Sequence, residues 1–118
     1  MGLPKKKEIL EFEPSKTHTK AGKDYEIVVT DQEGSVDHDY VITQNTHKIY
    51  WTNSSGADCW IIFPSQTGTP VKPRDQVIHL IDGESSRTYT VDARNYSSYK
   101  YTVTCVKGSN DPTIIVDQ

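Results

Sequence analysis

Sulfur is scarce in this chain. Of 118 residues only Cys59 and Cys105 are cysteine and only Met1 is methionine. Two cysteines exclude a disulfide-dense scaffold and a four-cysteine zinc cluster, and leave either one disulfide or two buried thiols. Long apolar runs are missing as well. No stretch approaches the ~18 apolar residues of a membrane-spanning helix, so no membrane partner is expected. Neither sign of charge dominates. Thirteen Lys and Arg are interspersed with 16 Asp and Glu, for a net charge of -3, which argues against the basic face of a nucleic-acid binder. The one basic cluster, Lys5-Lys6-Lys7, reads as a solvated arm, with phosphate or membrane-surface contact as the alternative. Those lysines lead into Glu8-Ile-Leu-Glu-Phe-Glu13 and not into an apolar core, so no signal peptide is read. The expectation is a cytoplasmic protein if the sequence is complete, and a periplasmic or secreted one if a leader preceded Met1-Gly2.

Helical periodicity is the next absence. Nowhere do apolar residues recur at i, i+3, i+4 and i+7 over three turns. What the chain holds instead is a series of short β-branched and aromatic runs, separated by Gly, Pro, Asn and Asp. After a candidate strand at Ile9–Phe12 come Tyr25–Thr30, His38–Thr43, His47–Thr52 and Cys59–Phe63. A loop, Ser65–Asp75, follows. Gln76–Ile81, Ser86–Val91, Tyr99–Cys105 and Thr113–Val116 complete the set, with Asp92–Ser98 long enough for one helical turn. One domain of 118 residues built this way is expected to be all-β, a single antiparallel Greek-key β-sandwich. Residues 1–24 read as an N-terminal arm with a first strand, and 25–118 as the core of the same domain.

Alternation assigns faces. Cys59 is in phase with Ile61 and Phe63, and Cys105 with Val103, Tyr101 and Tyr99. If those faces are the core, both thiols point inward. Trp60 and Ile62 then lie on the opposite face of their strand. Trp60, Tyr96 and Tyr99 are the candidate interaction surface, for a protein or a sugar, with core packing as the competing role for large aromatic side chains. Asn53-Ser-Ser55 and Asn95-Tyr-Ser97 match the N-glycosylation pattern.

Catalytic signatures are missing. There is no G-x-S-x-G, H-E-x-x-H or phosphate-cradling glycine loop, and no catalytic residue or cofactor is proposed. The aspartates fall in turns and at strand ends, where they form turns and aid solubility. His18, His38, His47 and His79 lack metal-ligand spacing.

The order of several segments resembles one family. Trp51-Thr-Asn53, a turn and an apolar run ending in Phe63 look like the cupredoxin segment that carries the first histidine ligand of a blue-copper site. Asp82-Gly-Glu-Ser-Ser-Arg-Thr-Tyr-Thr-Val91 looks like the family's polar turn and late strand. Tyr99-Lys-Tyr101 through Cys105, then a loop and Ile114-Ile-Val116, look like its closing hairpin. The resemblance covers roughly Ile27 to Val116. It implies a plastocyanin- or azurin-type cupredoxin-like domain. Carried over position by position, the first-histidine place holds Cys59 and the cysteine place holds Cys105. Alignment on Tyr99 in place of Tyr101 would put Val103 there instead. The loop that follows, Val106–Pro112, contains neither histidine nor methionine. A blue-copper site needs two imidazoles and a thiolate, usually with a weak axial thioether. Three of the four groups are missing, so the family's electron-transfer role does not carry over.

In the family the two corresponding ligands meet around one metal. The resemblance therefore implies that Cys59 and Cys105 approach each other, as a disulfide or a buried thiol pair. A bond would close a loop of about 47 residues, worth roughly 4 kcal/mol in the chain-entropy description. Two unrelated buried cysteines remain the alternative. The expected function is a copper-free, non-enzymatic binding or structural domain whose partner is unknown, with a protein as the candidate. It would use the loops Ser54–Asp58, Ser65–Asp75 and Val106–Asp111. The alternatives are a copper- or zinc-binding or redox protein using Cys59 and Cys105, and an immunoglobulin-like adhesion or carbohydrate-binding module. The last expects a Cys…Trp…Cys order, and here Trp60 directly follows Cys59.

Overall fold

The computed structural model describes residues 17–118. The candidate strand at Ile9–Phe12 and the Lys5–Lys7 cluster lie outside the described residues. Eleven strands follow: β1 (Asp24–Val29), β2 (Tyr40–Gln44), β3 (Lys48–Asn53), β4 (Cys59–Ile62), β5 (Val71–Lys72), β6 (Val77–Leu80), β7 (Tyr89–Val91), β8 (Ser98–Lys100), β9 (Thr102–Cys105), β10 (Ser109–Asn110) and β11 (Thr113–Asp117). The expected loop Ser65–Asp75 contains one 3-10 turn, Gln66–Gly68, and the short strand β5. The stretch between β7 and β8 runs as bends and does not make the helical turn that its length allowed.

One layer has the order β1-β3-β7-β5. The other is built on a long closing hairpin. Ser109 lies opposite Thr104, Asn110 opposite Val103, Thr113 opposite Lys100 and Ile114 opposite Tyr99. A single register thus runs the whole length, with β8 and β9 as one arm and β10 and β11 as the other. The ladder is interrupted at Tyr101 and Thr102, opposite Pro112 and Asp111, where the Tyr101 N–H still reaches the Pro112 carbonyl at 3.0 Å. β2 pairs with the outer arm, and β4 and then β6 follow the inner one.

The sandwich is present, but its pairing is not purely antiparallel as the sequence suggested. β1 runs parallel to β3, with Ile27 beside Trp51, and β2 runs parallel to β11, with Ile42 beside Ile115. Alternation specifies which face of a strand is buried and is silent about the direction of its neighbour, so the two mixed pairings left no mark in the pattern.

The faces that alternation grouped in β4 and β9 are core faces, and other strands add to them. Ile27, Val29, Ile49, Trp51, Cys59, Ile61, Phe63, Tyr101 and Val103 are buried. Trp51 meets Phe63, Tyr89 and Tyr101 edge-on, with ring centroids 5.7 to 6.1 Å apart, which suits the quadrupoles of aromatic rings. Its indole N–H donates to the Tyr101 hydroxyl at 3.2 Å, so neither buried polar atom is orphaned. Burial pushes the Tyr101 phenol far above its ordinary value, against a smaller opposing effect of the Trp51 bond.

Candidate functional site

β3 delivers the chain to one end of the sandwich and β4 takes it back. Four turns gather at that end: Asp31–Ser35, Ser54–Asp58, Asp82–Ser85 and Val106–Gly108. Asn53, the last residue of β3, ties two of them. It is buried although it opens a polar turn. Its amide nitrogen donates to the Ala57 carbonyl at 2.7 Å and the Leu80 carbonyl at 2.9 Å, and its side-chain oxygen accepts from the Ser55 N–H at 3.0 Å. Its backbone N–H and carbonyl pair with Glu84 and Gly83. Sequence reasoning saw Asn53 only as a turn residue and glycosylation match. Its burial removes Asn53-Ser-Ser55 as an acceptor in the folded chain, while Asn95 stays exposed.

The Asp31 turn docks on the closing hairpin. The Asp31 carboxylate accepts backbone N–H bonds from Glu33 at 2.9 Å and Ser35 at 3.1 Å. The Ser35 and Glu33 bonds hold it below the usual carboxylate range. Gly34 (φ +83°) lies so close to the Val103 carbonyl that any Cβ there would collide with it. The Lys107 N–H donates to the Gln32 carbonyl at 2.8 Å. Between these turns an open, polar depression of about 380 Å³ is lined by Thr30, Asp31, Gln32, Glu33, Ser55 and Lys107.

Beside it lie the two cysteines. Cys59 opens β4 and Cys105 closes β9, directly opposite each other in the antiparallel ladder. They are bonded, with Cα atoms 4.4 Å apart and a separation of 46 positions in sequence. That Cα spacing belongs to a non-hydrogen-bonded cross-strand pair, where facing side chains come closest. The Ser55 hydroxyl oxygen sits 3.2 Å from Cys59 Sγ and 2.9 Å from the Ala57 carbonyl, so its single proton can serve either acceptor. The bond joins neighbouring strands of one sheet and not the two sheets, which is the wrong geometry for an immunoglobulin-type bridge.

The chain matches no protein-family model and no curated protein. Solved structures do match over most of its length. A purple cupredoxin from Nitrosopumilus maritimus superposes at a TM-score of 0.54 and 12% identity, covering 78% of this chain and 98% of that one. Amicyanin from Paracoccus versutus gives 0.53 and 12%, covering 83% and 85%. The McoA multicopper oxidase from Aquifex aeolicus gives 0.55 and 15%, and the 85% of this chain that aligns spans only 28% of the oxidase. The fold is cupredoxin-like.

A cupredoxin-like domain raises the question of copper, and the donor atoms answer it. A blue-copper site takes a thiolate and two imidazoles. Here both sulfurs are committed to each other. Among the described residues, no three of His, Cys, Asp and Glu gather where they could hold a metal ion. The four histidines are dispersed. His18 bridges to Ile42 in β2. His38 Nδ1 lies 3.3 Å from the Tyr25 hydroxyl, His47 Nδ1 lies 2.7 Å from the Thr19 hydroxyl, and His79 Nε2 lies 3.0 Å from the Asp58 carboxylate. The residues present do not fit a type 1 copper ion.

The aromatic candidates are not brought together. Trp60 lies on the outer face of β4, half-buried and stacked on His79 of β6 at 4.8 Å and 7°. Tyr99 turns the other way, packing against the core. Its hydroxyl donates to the Asn95 carbonyl at 2.9 Å. Tyr96 is exposed beside it. Five residues of strand, about 17 Å, separate Tyr99 from Thr104, the neighbour of Trp60. The expected loop cluster is also corrected. Ser54–Asp58 and Val106–Gly108 share an end, but β4 carries the chain away from it, so Ser65–Asp75 lies at the opposite end of the sandwich.

Proposed function

We propose that this cupredoxin-like domain is a non-enzymatic binding module that does not use copper and meets its partner with the disulfide end. The observation that supports this reading is the Cys59–Cys105 bond. The family resemblance assigns copper ligands to both of those positions, and the bond consumes the only two thiols in the chain. What remains at that end is a polar group of turns, tied by hydrogen bonds, around Asp31, Glu33, Ser55 and Lys107. It offers backbone groups and charges of both signs, which suits a protein partner more than an apolar ligand.

Copper titration tests it. Cu(II) added to the oxidised chain is expected to give no thiolate-to-copper charge-transfer absorption and no stoichiometric uptake. One tightly held copper per chain with that absorption would overturn the reading.

A further inference from the structure

The sandwich guards three of its strand edges with its own chain. Along β1, the Asp37 N–H donates to the Val28 carbonyl at 2.9 Å and the Asp37 carboxylate accepts the Val28 N–H at 3.0 Å. Beside β2, the Thr19 N–H donates to the Ile42 carbonyl at 2.9 Å. The Asp31 turn lies on β10, where the Asn110 side chain donates to the Glu33 carbonyl at 3.0 Å. β6, the last strand of its layer, is different.

Its hydrogen-bonding phase follows from its neighbours. Cys59 and Cys105 form a non-hydrogen-bonded pair, so the Cys59 N–H and carbonyl turn toward Leu80. The Phe63 N–H, in phase with Cys59, donates to the Gln76 carbonyl at 2.8 Å. Gln76, Ile78 and Leu80 therefore bond toward β4, and Val77, His79 and Ile81 turn their backbone groups outward. Glu84 takes both of those of Ile81, accepting its N–H at 2.9 Å and donating to its carbonyl at 3.0 Å. Among the described residues nothing takes those of Val77 or His79. Backbone groups without a protein partner are met by water, so this edge faces solvent. The side chains around it are largely apolar. Val77 is 52% exposed and Ile81 54%. Ile62 and Trp60 lie across from Val77 and His79 on the same outer face. No lysine or proline falls within 76–81, and β6 pairs with β4 without a bulge, so the usual guards of an edge are missing.

We propose that β6 pairs antiparallel with β6 of a second copy of this chain, about a two-fold axis at Ile78. In that register Val77 of each copy lies opposite His79 of the other, and the two exchange both backbone bonds. The pairing uses every free N–H and carbonyl of Val77 and His79 in both copies. Ile78 meets its own copy between them, and the two outer apolar strips join, as an isologous interface requires. Charge selects the direction. The turn after β6 carries Asp82 and Glu84 and no base. Lys72 and Arg74 precede β6, with Asp75 next to them and Asp92 facing both. A parallel partner would set the two acidic turns side by side, whereas an antiparallel one sets each acidic turn beside the other copy's bases. The contact is small, so the pairing is weak, half complete at about 0.1 mM.

The full chain, isotope-labelled, is studied from about 10 µM to about 1 mM. Sedimentation is expected to show monomer at the low end and mostly dimer at the high end. The amides of Val77 and His79 are expected to exchange about fivefold more slowly at the high end, while those of Ile78 and Leu80, already bonded to β4, do not change. Val77→Pro removes an outward donor from each copy and no bond to β4, and Val77→Lys puts a charge at the seam. Each is expected to raise the concentration needed for pairing by about tenfold or more. A chain that stays monomeric at the highest concentration would overturn the proposal and leave this edge to a different occupant. So would a dimer in which the Val77 and His79 amides exchange as in the monomer, or one that forms equally well in both variants.

Discussion

The two ends of this sandwich are closed by different chemistry. At the disulfide end, backbone groups, one buried amide and a covalent bond do the work. Asn53 and the Asp31 turn satisfy the turns from within, and Cys59–Cys105 joins β4 to β9. At the opposite end the chain is held by charge. The Arg74 guanidinium donates to the carbonyls of Thr69 at 2.9 Å, Val71 at 3.3 Å and Asp92 at 2.8 Å. Lys72 approaches the Asp92 carboxylate at 2.8 Å. The Tyr89 hydroxyl donates to Asp75 at 2.6 Å. Burial first and the Asp75 bond second raise the Tyr89 phenol far above its ordinary value. The disulfide end relies mainly on a covalent bond and uncharged hydrogen bonds, so salt should weaken it less, although acid should still loosen the Asp31 turn, whose carboxyl is held below the ordinary range. The opposite end, where Lys72 and Arg74 face the Asp92 carboxylate, should be the more sensitive to salt. The partner surface proposed for the disulfide end would gain from turns already tied by internal hydrogen bonds, since less order would have to be imposed on binding.

Removing the bond should break this contrast most strongly. The double variant Cys59→Ala with Cys105→Ala should lose up to about 4 kcal/mol of stability by denaturant unfolding, the value for a crosslink closing a loop of this length. Next comes Asn53→Ala. It leaves the Ala57 and Leu80 carbonyls short of a donor in a buried site, and a loss of about 3 kcal/mol is expected, with the hydrogen-exchange protection of the Ser54–Asp58 turn lost first. The charged end should yield less. Arg74→Ala removes one donor group from three carbonyls near the surface, and about 2 kcal/mol is expected, measured in the same way.

The smallest effect belongs to Asp92. The Lys72 hydrogen bond, aided by the nearby charges of Lys72, Arg74 and Arg94, holds its carboxyl below the ordinary value. A carboxyl whose folded pKa is lowered adds stability above its unfolded pKa, and that stability is lost as pH falls through the folded pKa. Acidification below the ordinary carboxylate range should therefore weaken the Lys72–Asp92 contact. Because both groups are exposed the change is small, and Asp92→Asn should flatten that part of the stability–pH curve.

Much of this fold was legible, and the particular residues show why. Alternation in Cys59-Trp-Ile-Ile-Phe63 and in Tyr101-Thr-Val-Thr-Cys105 places the sulfurs inside and Trp60 outside, because a pleated strand with one buried face leaves the register no freedom. The opposition of Cys59 and Cys105 needed more than alternation. It followed from the order of segments shared with the cupredoxins. The parallel neighbours of β1 and β2 were not legible, since direction leaves no periodic mark. The role of Asn53 was hidden because a buried amide and an exposed turn asparagine read alike in sequence. Its position between the last apolar residue of β3 and the Ser54-Ser-Gly56 turn was the one available signal. The Ser65–Asp75 loop was assigned to the wrong end because the four-residue strand β4 and Phe63 before it reverse which end the chain occupies.

The most direct test of the closed end is a count of free thiols. The chain, unfolded in denaturant without reductant, is exposed to an alkylating agent and weighed intact. The structure predicts a monomer that takes up no alkyl group before reduction and two after it. Two alkyl groups taken up before reduction would show that Cys59 and Cys105 are free thiols, and would contradict the account of this end as covalently closed.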